Sequence, residues 1–210
     1  MDFVRSAPLI TVLALLALSA HAATNDAWPP SRDGVVFLWE NGQSLNEALD
    51  PETGETRQYT GLLHGGATYG PHHELQLANG SFRPSDVDGA LLAQCRRVGE
   101  VTIEAVVSPD TLEQDGPARI VTFSADTGSR NFTLGQEGGT LVLRVRTPRT
   151  GGNGTNPELT LCDVRAGVPQ HVLVTYRPGR LRAYLDGKQA FASDENWGDY
   201  RALVAMNPST

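Results

Sequence analysis

The sequence predicts an all-β chain folded as a two-sheet antiparallel sandwich with one short helix. Short apolar runs alternate with polar residues at a period of two, turn-forming residues bound the runs, and a single segment has helical spacing. The stretch His171 to Phe191 shows all but the last of these. Val172, Val174 and Tyr176 share one parity, then Leu181, Ala183 and Leu185 share another, with Arg182, Tyr184 and Asp186 between them. Side chains of that period line one face of a strand. Arg177-Pro178-Gly179-Arg180 and Asp186-Gly187 supply the reversals, because proline presets a negative φ while glycine and aspartate tolerate a positive one. A helix through the same residues would be broken at Pro178 and Gly179.

The other elements follow in order. Residues 23–33, with Trp28 and two prolines, read as an exposed lead-in to a first strand, Gly34 to Trp39, and the polar stretch Glu40 to Gly54 reads as turns. Further strands are expected at Arg57 to Leu63, Glu74 to Leu77, Glu100 to Ser108, Ala118 to Ser124, Asn131 to Gln136, Thr140 to Thr147 and Gln170 to Tyr176. Between them SDVDGALLAQCRRVG predicts a short helix near 86–97. Ser85 or Asp86 is its expected cap, Leu91, Leu92 and Cys95 its apolar face, and Gly99 its stop. No solenoid or propeller period and no internal linker is visible, so residues 34–210 are expected to form one domain.

The N-terminus has a different purpose. Arg5 precedes an apolar run from Ala7 to Leu18, and Ser19-Ala20-His21-Ala22 has small residues at cleavage spacing, which predicts a signal peptide over residues 1–22 and an exported product. The run is shorter than the ~20 residues that span a bilayer, and no other segment is apolar enough, so no membrane span is expected after cleavage. A net charge of −7, with no basic cluster larger than Arg96-Arg97, makes nucleic acid and anionic membranes poor partners. The two cysteines, Cys95 and Cys162, have two readings: a disulfide formed on export, or separate small core residues.

Three stretches resemble a known family. EVTIEAVVSPDTL (100–112), GPARIVTFSADTGSRNFTLGQEGGTLVLRVRT (116–147) and VPQHVLVTYRPGRLRAYLDGKQ (168–189) resemble the LamG-like, or concanavalin-A-like, jelly-roll domains of exported bacterial proteins, over roughly residues 34 to 206. The resemblance implies a curved sandwich whose loops or concave face hold carbohydrate, calcium or another protein. It implies no activity, because lectins, hydrolases, lyases and inert spacers share the architecture. Such domains usually close with one more strand; here Arg201 to Met206 either supplies it or the sequence is truncated.

Function therefore rests on residues. Hydrolases of this kind place carboxylates at alternate positions of one strand, but VTIEAVV offers Glu104 alone, and Asp194 and Glu195 are consecutive and point to opposite faces. A lyase needs arginine, glutamine, histidine and tyrosine on one face; Gln170, His171 and Tyr176 on one strand and Arg144 with Arg146 on another are the residues available. His64, His72 and His73 would be zinc ligands only if the adjacent pair faced one ion, which is geometrically poor. Calcium, implied by the resemblance, suits the oxygen-rich turn ADTGSRN through Asp126 and Asn131, where a plain hairpin turn is the alternative. For a glycan, SDENWGDY offers Trp197 and Tyr200 as aromatic plates beside Asn196 and Asp199. Burial of Trp197 as a core plug is the favoured alternative at that residue. The expected function is a secreted, non-catalytic module binding a glycan or cell-surface protein, with a glycoside hydrolase, a polysaccharide lyase and a structural spacer as alternatives.

Overall fold

The computed structural model describes residues 33–39, 47–49, 56–58, 61–85 and 87–198. Its N-terminal part holds three short antiparallel pairs: β1 (Glu47–Leu49) with β2 (Thr56–Gln58), β3 (Gly61–Gly65) with β6 (Gly80–Pro84), and β4 (Thr68–Tyr69) with β5 (Leu75–Gln76). A helix, α1 (Asp88–Val98), leads into the two main sheets. Sheet one takes β7 (Val101–Val107), β12 (Gln170–Arg177), β13 (Arg180–Leu185) and β14 (Lys188–Ser193) in the order β14-β13-β12-β7. Sheet two takes β8 (Ala118–Ser124), β9 (Arg130–Glu137), β10 (Thr140–Val145) and β11 (Leu159–Asp163) in the order β11-β10-β9-β8.

Both sheets bury one face in a shared core. Register places Val172 opposite Ala105, Val174 opposite Ile103 and opposite Ala183 on the other side, so the predicted alternation of β12 lines one wall. Phe123, Phe132, Leu134, Leu141, Leu143, Val145 and Leu161 line the other. Burying each large side chain contributes roughly 1.5–3 kcal/mol, which is the main reason these short strands hold together. The core also takes Tyr176, and Gln170 is enclosed with its amide bonded to both backbone groups of Arg165. Neither residue is therefore available on the open face that a lyase reading requires.

The helix forms where expected but starts differently. Val87, not Ser85 or Asp86, occupies the N-cap and makes no side-chain bond there. Asp88 in the first turn and Arg96 and Arg97 in the last oppose the helix dipole in the stabilising sense. Gly99, at φ 72°, closes it by donating its N–H to Cys95 O, a left-handed geometry that a side chain would strain.

Other expectations need correction. Residues 34–39 do not form a strand: Leu38 makes an isolated bridge, although Leu38 and Trp39 are deeply buried. The run expected at 57–63 is divided between β2 and β3. Cys95 and Cys162 are both free thiols, not a disulfide, and each packs into or against the same core. The leader at 1–22, the lead-in to residue 32 and the closing segment 201–206 lie outside the described residues. No helix among the described residues is long and apolar enough to cross a membrane.

Candidate functional site

The faces turned away from the core carry the polar chemistry. On sheet one, His171 of β12 lies opposite Val106, and Leu173 opposite Glu104 of β7 and Tyr184 of β13. His171 Nε2 and Glu104 Oε1 are 2.8 Å apart, and the His171 N–H donates to Asp186 Oδ1 at 2.9 Å. Arg182 pairs with Asp194 at 2.6 Å, and also donates to the carbonyls of Leu181 and Ser193. Asp186 receives Arg165 at 3.5 Å as well. Each arginine and carboxylate in this group has a polar partner within the fold.

Sheet two differs. Thr122 of β8 lies opposite Thr133 of β9, with their hydroxyls 2.7 Å apart, and Thr133 lies opposite Arg144 of β10. Arg119 lies opposite Gly135, on the same side as Thr133. The strand pair β8–β9 then carries an irregularity: the register passes from Phe123 opposite Phe132 to Ser124 opposite Arg130, leaving Asn131 as the extra residue. One extra residue reverses the parity of everything beyond it. Arg130 therefore leaves the core side that Phe132 and Leu134 occupy and joins Thr122, Ser124, Thr133 and Arg144 on the outer face. Strict alternation would have buried its charge in the core.

The electrostatics of this face are unbalanced. Arg144 is paired through Nε with Glu158, their side chains 15% and 25% exposed. Arg130 is 8% exposed, and among the described residues neither its Nε nor its Nη1 has a hydrogen-bond partner. Its guanidinium is held below the usual arginine range, first by burial and then by repulsion from Arg144 and Arg119, with Glu158 acting in the opposite sense. The Arg130 backbone N–H donates to Gly152 O at 3.1 Å, and Arg146 Nη1 reaches the same carbonyl at 3.3 Å. The loop that borders this end of the strand thus holds the backbone of Arg130 while its Nε and Nη1 have no partner among the described residues.

The residues expected to bind ligand are placed differently. Trp197 is 8% exposed and stacks on Tyr176, ring centroids 6.5 Å apart. Its carbonyl accepts from Thr147 Oγ1, Tyr176 OH donates to Gly198 O at 2.9 Å, and Arg149 Nη1 donates to Asn196 O at 2.7 Å. Asn196 is exposed but its Oδ1 takes the Gly198 N–H at 2.9 Å. Trp197 is thus a core plug, and its ring is withdrawn from use as an open sugar plate; Asp199 and Tyr200 lie outside the described residues.

The expected calcium pair is also divided. Asp126 is exposed in the β8–β9 turn and its Oδ1 accepts the Gly128 N–H at 2.6 Å, the hairpin-turn role. Asn131 is 0% exposed, so no solvent-sized space adjoins it for an ion, and the two residues as placed do not fit a calcium shell. His64 sits on β3 near Asn79 and Ser81 around a shallow depression, while His72 and His73 are in an exposed turn. Among the described residues no group of three or more His, Cys, Asp or Glu side chains is placed to hold a metal ion.

The comparison with known families agrees with this architecture. The concanavalin A-like lectin/glucanases superfamily matches residues 86–203, more than half the chain. The chain belongs to this superfamily. Its matched region begins at α1 and takes in both sheets of the LamG-like jelly roll. No curated protein and no solved structure gives a significant match. The superfamily includes lectins and glycosidases alike, so membership fixes the LamG-like fold and leaves chemistry to the faces described above.

Sequence reasoning noted Arg144 and Arg146 on one strand parity but missed Arg130 and Arg119. The available signal was a conflict: Arg130 shares parity with Phe132 and Leu134 in an apolar strand, and an arginine at such a position requires either a buried partner or a bulge.

Proposed function

We propose that this chain is an exported, non-catalytic module that binds a glycan on the outer face of sheet two. The observation that carries this reading is a row of hydroxyl and guanidinium groups on the outer side of sheet two, with Thr122 and Ser124 accessible at the edge strand, Arg144 partly exposed, and Thr133 and Arg130 almost enclosed behind them. Sugars present many hydroxyls and few charges, and a rigid sheet that aims donors and acceptors outward suits them. Export is supported by the leader-like N-terminus at 1–22. The carboxylate beside this face, Glu158, is paired with Arg144.

A second reading has one observation in its favour. The Glu104–His171 pair, with both side chains 31% exposed, has the geometry of a proton-transfer couple on the outer face of sheet one. The test is a polysaccharide panel, read both for retention of the protein and for products. Retention on glycans with no new reducing ends or unsaturated sugars supports the binding module. Product release that is lost in Glu104→Gln supports the enzyme. Retention on cell-surface protein but on no glycan would replace the proposed ligand class.

A further inference from the structure

We infer that the outer face of sheet two is an oxyanion site, in which Arg130, flanked by Arg144 and Arg119, takes the carboxylate or sulfate ester of an acidic polysaccharide. The inference rests on the glycan reading above and names the chemical class that the reading leaves open.

A guanidinium almost withdrawn from water is costly unless paired, because its hydration is lost without replacement. Arg130 is in that condition, at 8% exposure, with two nitrogens unpartnered among the described residues. Its neighbours make matters worse: Arg144 and Arg119 repel it, and the nearby carboxylate, Glu158, is bonded to Arg144. A site of this kind is satisfied by a group that brings negative charge and several acceptor oxygens, and carboxylates and sulfates do both. Thr122 is exposed at the open edge of the face beside Thr133, which is 1% exposed. The face is thus deep at β9 and open at β8, so a ligand enters over Thr122 and Arg119. In the loop that receives the Arg130 N–H, Asn153 has a buried Oδ1 with no donor among the described residues, an acceptor suited to a sugar hydroxyl. Sheet one offers no counterpart: Arg182, similarly placed, is bonded to Asp194 and two carbonyls.

The test uses calorimetric titration of the full chain near pH 7 and ~0.1 M salt, where surface charges are screened within ~10 Å. The probes are oligogalacturonate, a sulfated galactan oligosaccharide, a neutral galactan oligosaccharide and inorganic sulfate. Acidic oligosaccharides should bind more tightly than the neutral one, and Arg130→Met should weaken them at least ~30-fold while sparing the neutral ligand. Arg177→Met, an exposed charge on sheet one, serves as the control and should change nothing. Without ligand, Arg130→Met should melt above the wild type, since an uncompensated buried charge has been removed.

Which acidic oligosaccharide wins distinguishes carboxylate from sulfate. Inorganic sulfate that binds through Arg130 while no oligosaccharide binds would keep the oxyanion site and remove the glycan. Equal affinity for acidic and neutral ligands, or acidic binding unchanged in Arg130→Met, overturns the proposal and leaves glycan binding intact. If Arg130→Met does not fold, Arg119→Met at the exposed edge of β8 decides in its place, with weakened acidic binding in support and unchanged binding against.

Discussion

The two sheets share a core yet turn opposite characters outward. On sheet one, three polar pairs close: Glu104 hydrogen-bonds His171, Arg182 meets Asp194, and Asp186 meets Arg165. On sheet two, Arg144 and Glu158 close likewise, but Arg130 stays open beside them. The difference comes from two register shifts in the β8–β9 pair, one skipping Asn131 and one skipping Ile120, not from composition. A regular β9 would have directed Arg130 into the core; the extra residue at Asn131 brings it to a surface that already contains two arginines. A face whose groups satisfy one another has little to gain from a ligand, whereas an unsatisfied one is biased toward binding.

The largest expected effect concerns the frame that holds both faces in place. Trp197→Ala should cost about 3–5 kcal/mol, the range for removing a buried aromatic side chain. The ring stacks on Tyr176 of sheet one, while its carbonyl is held by Thr147 just beyond β10 of sheet two. Losing it should loosen both faces together, and urea unfolding with a shared midpoint for all probes would show it. A loss below about 1 kcal/mol would mean that the ring is peripheral, which large buried residues rarely are.

That residue also shows what was legible in the sequence. Alternation and turn chemistry located β7, β8, β9, β10, β12 and β13 to within a residue or two, because these strands bury one face and their pattern is enforced by the core. The short pairs were legible only in part: β5 lies inside the expected Glu74 to Leu77 run, but its partner β4, with two residues, is too short for a period to appear. β11 escaped because its register shifts at Leu161, which breaks the alternation. The candidate site failed for a related reason. Trp197 was rightly suspected of belonging to the core, but parity reasoning cannot see a bulge, so Arg130 was passed over.

Next in size is Arg144→Met, which leaves Glu158 without its partner at 25% exposure and should cost about 1–3 kcal/mol. Arg130→Met, one strand away, should move stability in the opposite direction. The pair of signs is the sharpest form of the comparison between a closed and an open cation. Because the two guanidiniums repel each other, the double variant should depart from additivity. Two losses of the same sign would mean that Arg130 is a structural prop.

A pH effect of about 1 kcal/mol sets the window for these measurements. Burial pushes the Cys95 thiol from 9.0 up to about 12. The unfolded chain therefore releases this proton before the folded one does. Stability from Cys95 is fully present below pH 9 and falls as pH rises toward 12, by about 1.4 kcal/mol per unit within that interval. Chemical denaturation at pH 8 and pH 10 should show the loss, and Cys95→Ala should remove the Cys95 share of it, leaving that of Cys162. Cys162, less enclosed and raised by burial and by Asp163, should be alkylated before Cys95 in the folded protein.

The smallest effect belongs to the closed face. Glu104 and His171 are 2.8 Å apart, but each is 31% exposed, so water and salt screen the pair and the coupling should be about 0.2–1 kcal/mol. A double-mutant cycle with Glu104→Gln and His171→Gln measures it without the separate cost of each substitution. Sugar retention should be unchanged in both variants if ligand is held on the opposite sheet. A coupling above about 2 kcal/mol, or loss of retention, would place the working chemistry on sheet one and invert the contrast between the faces.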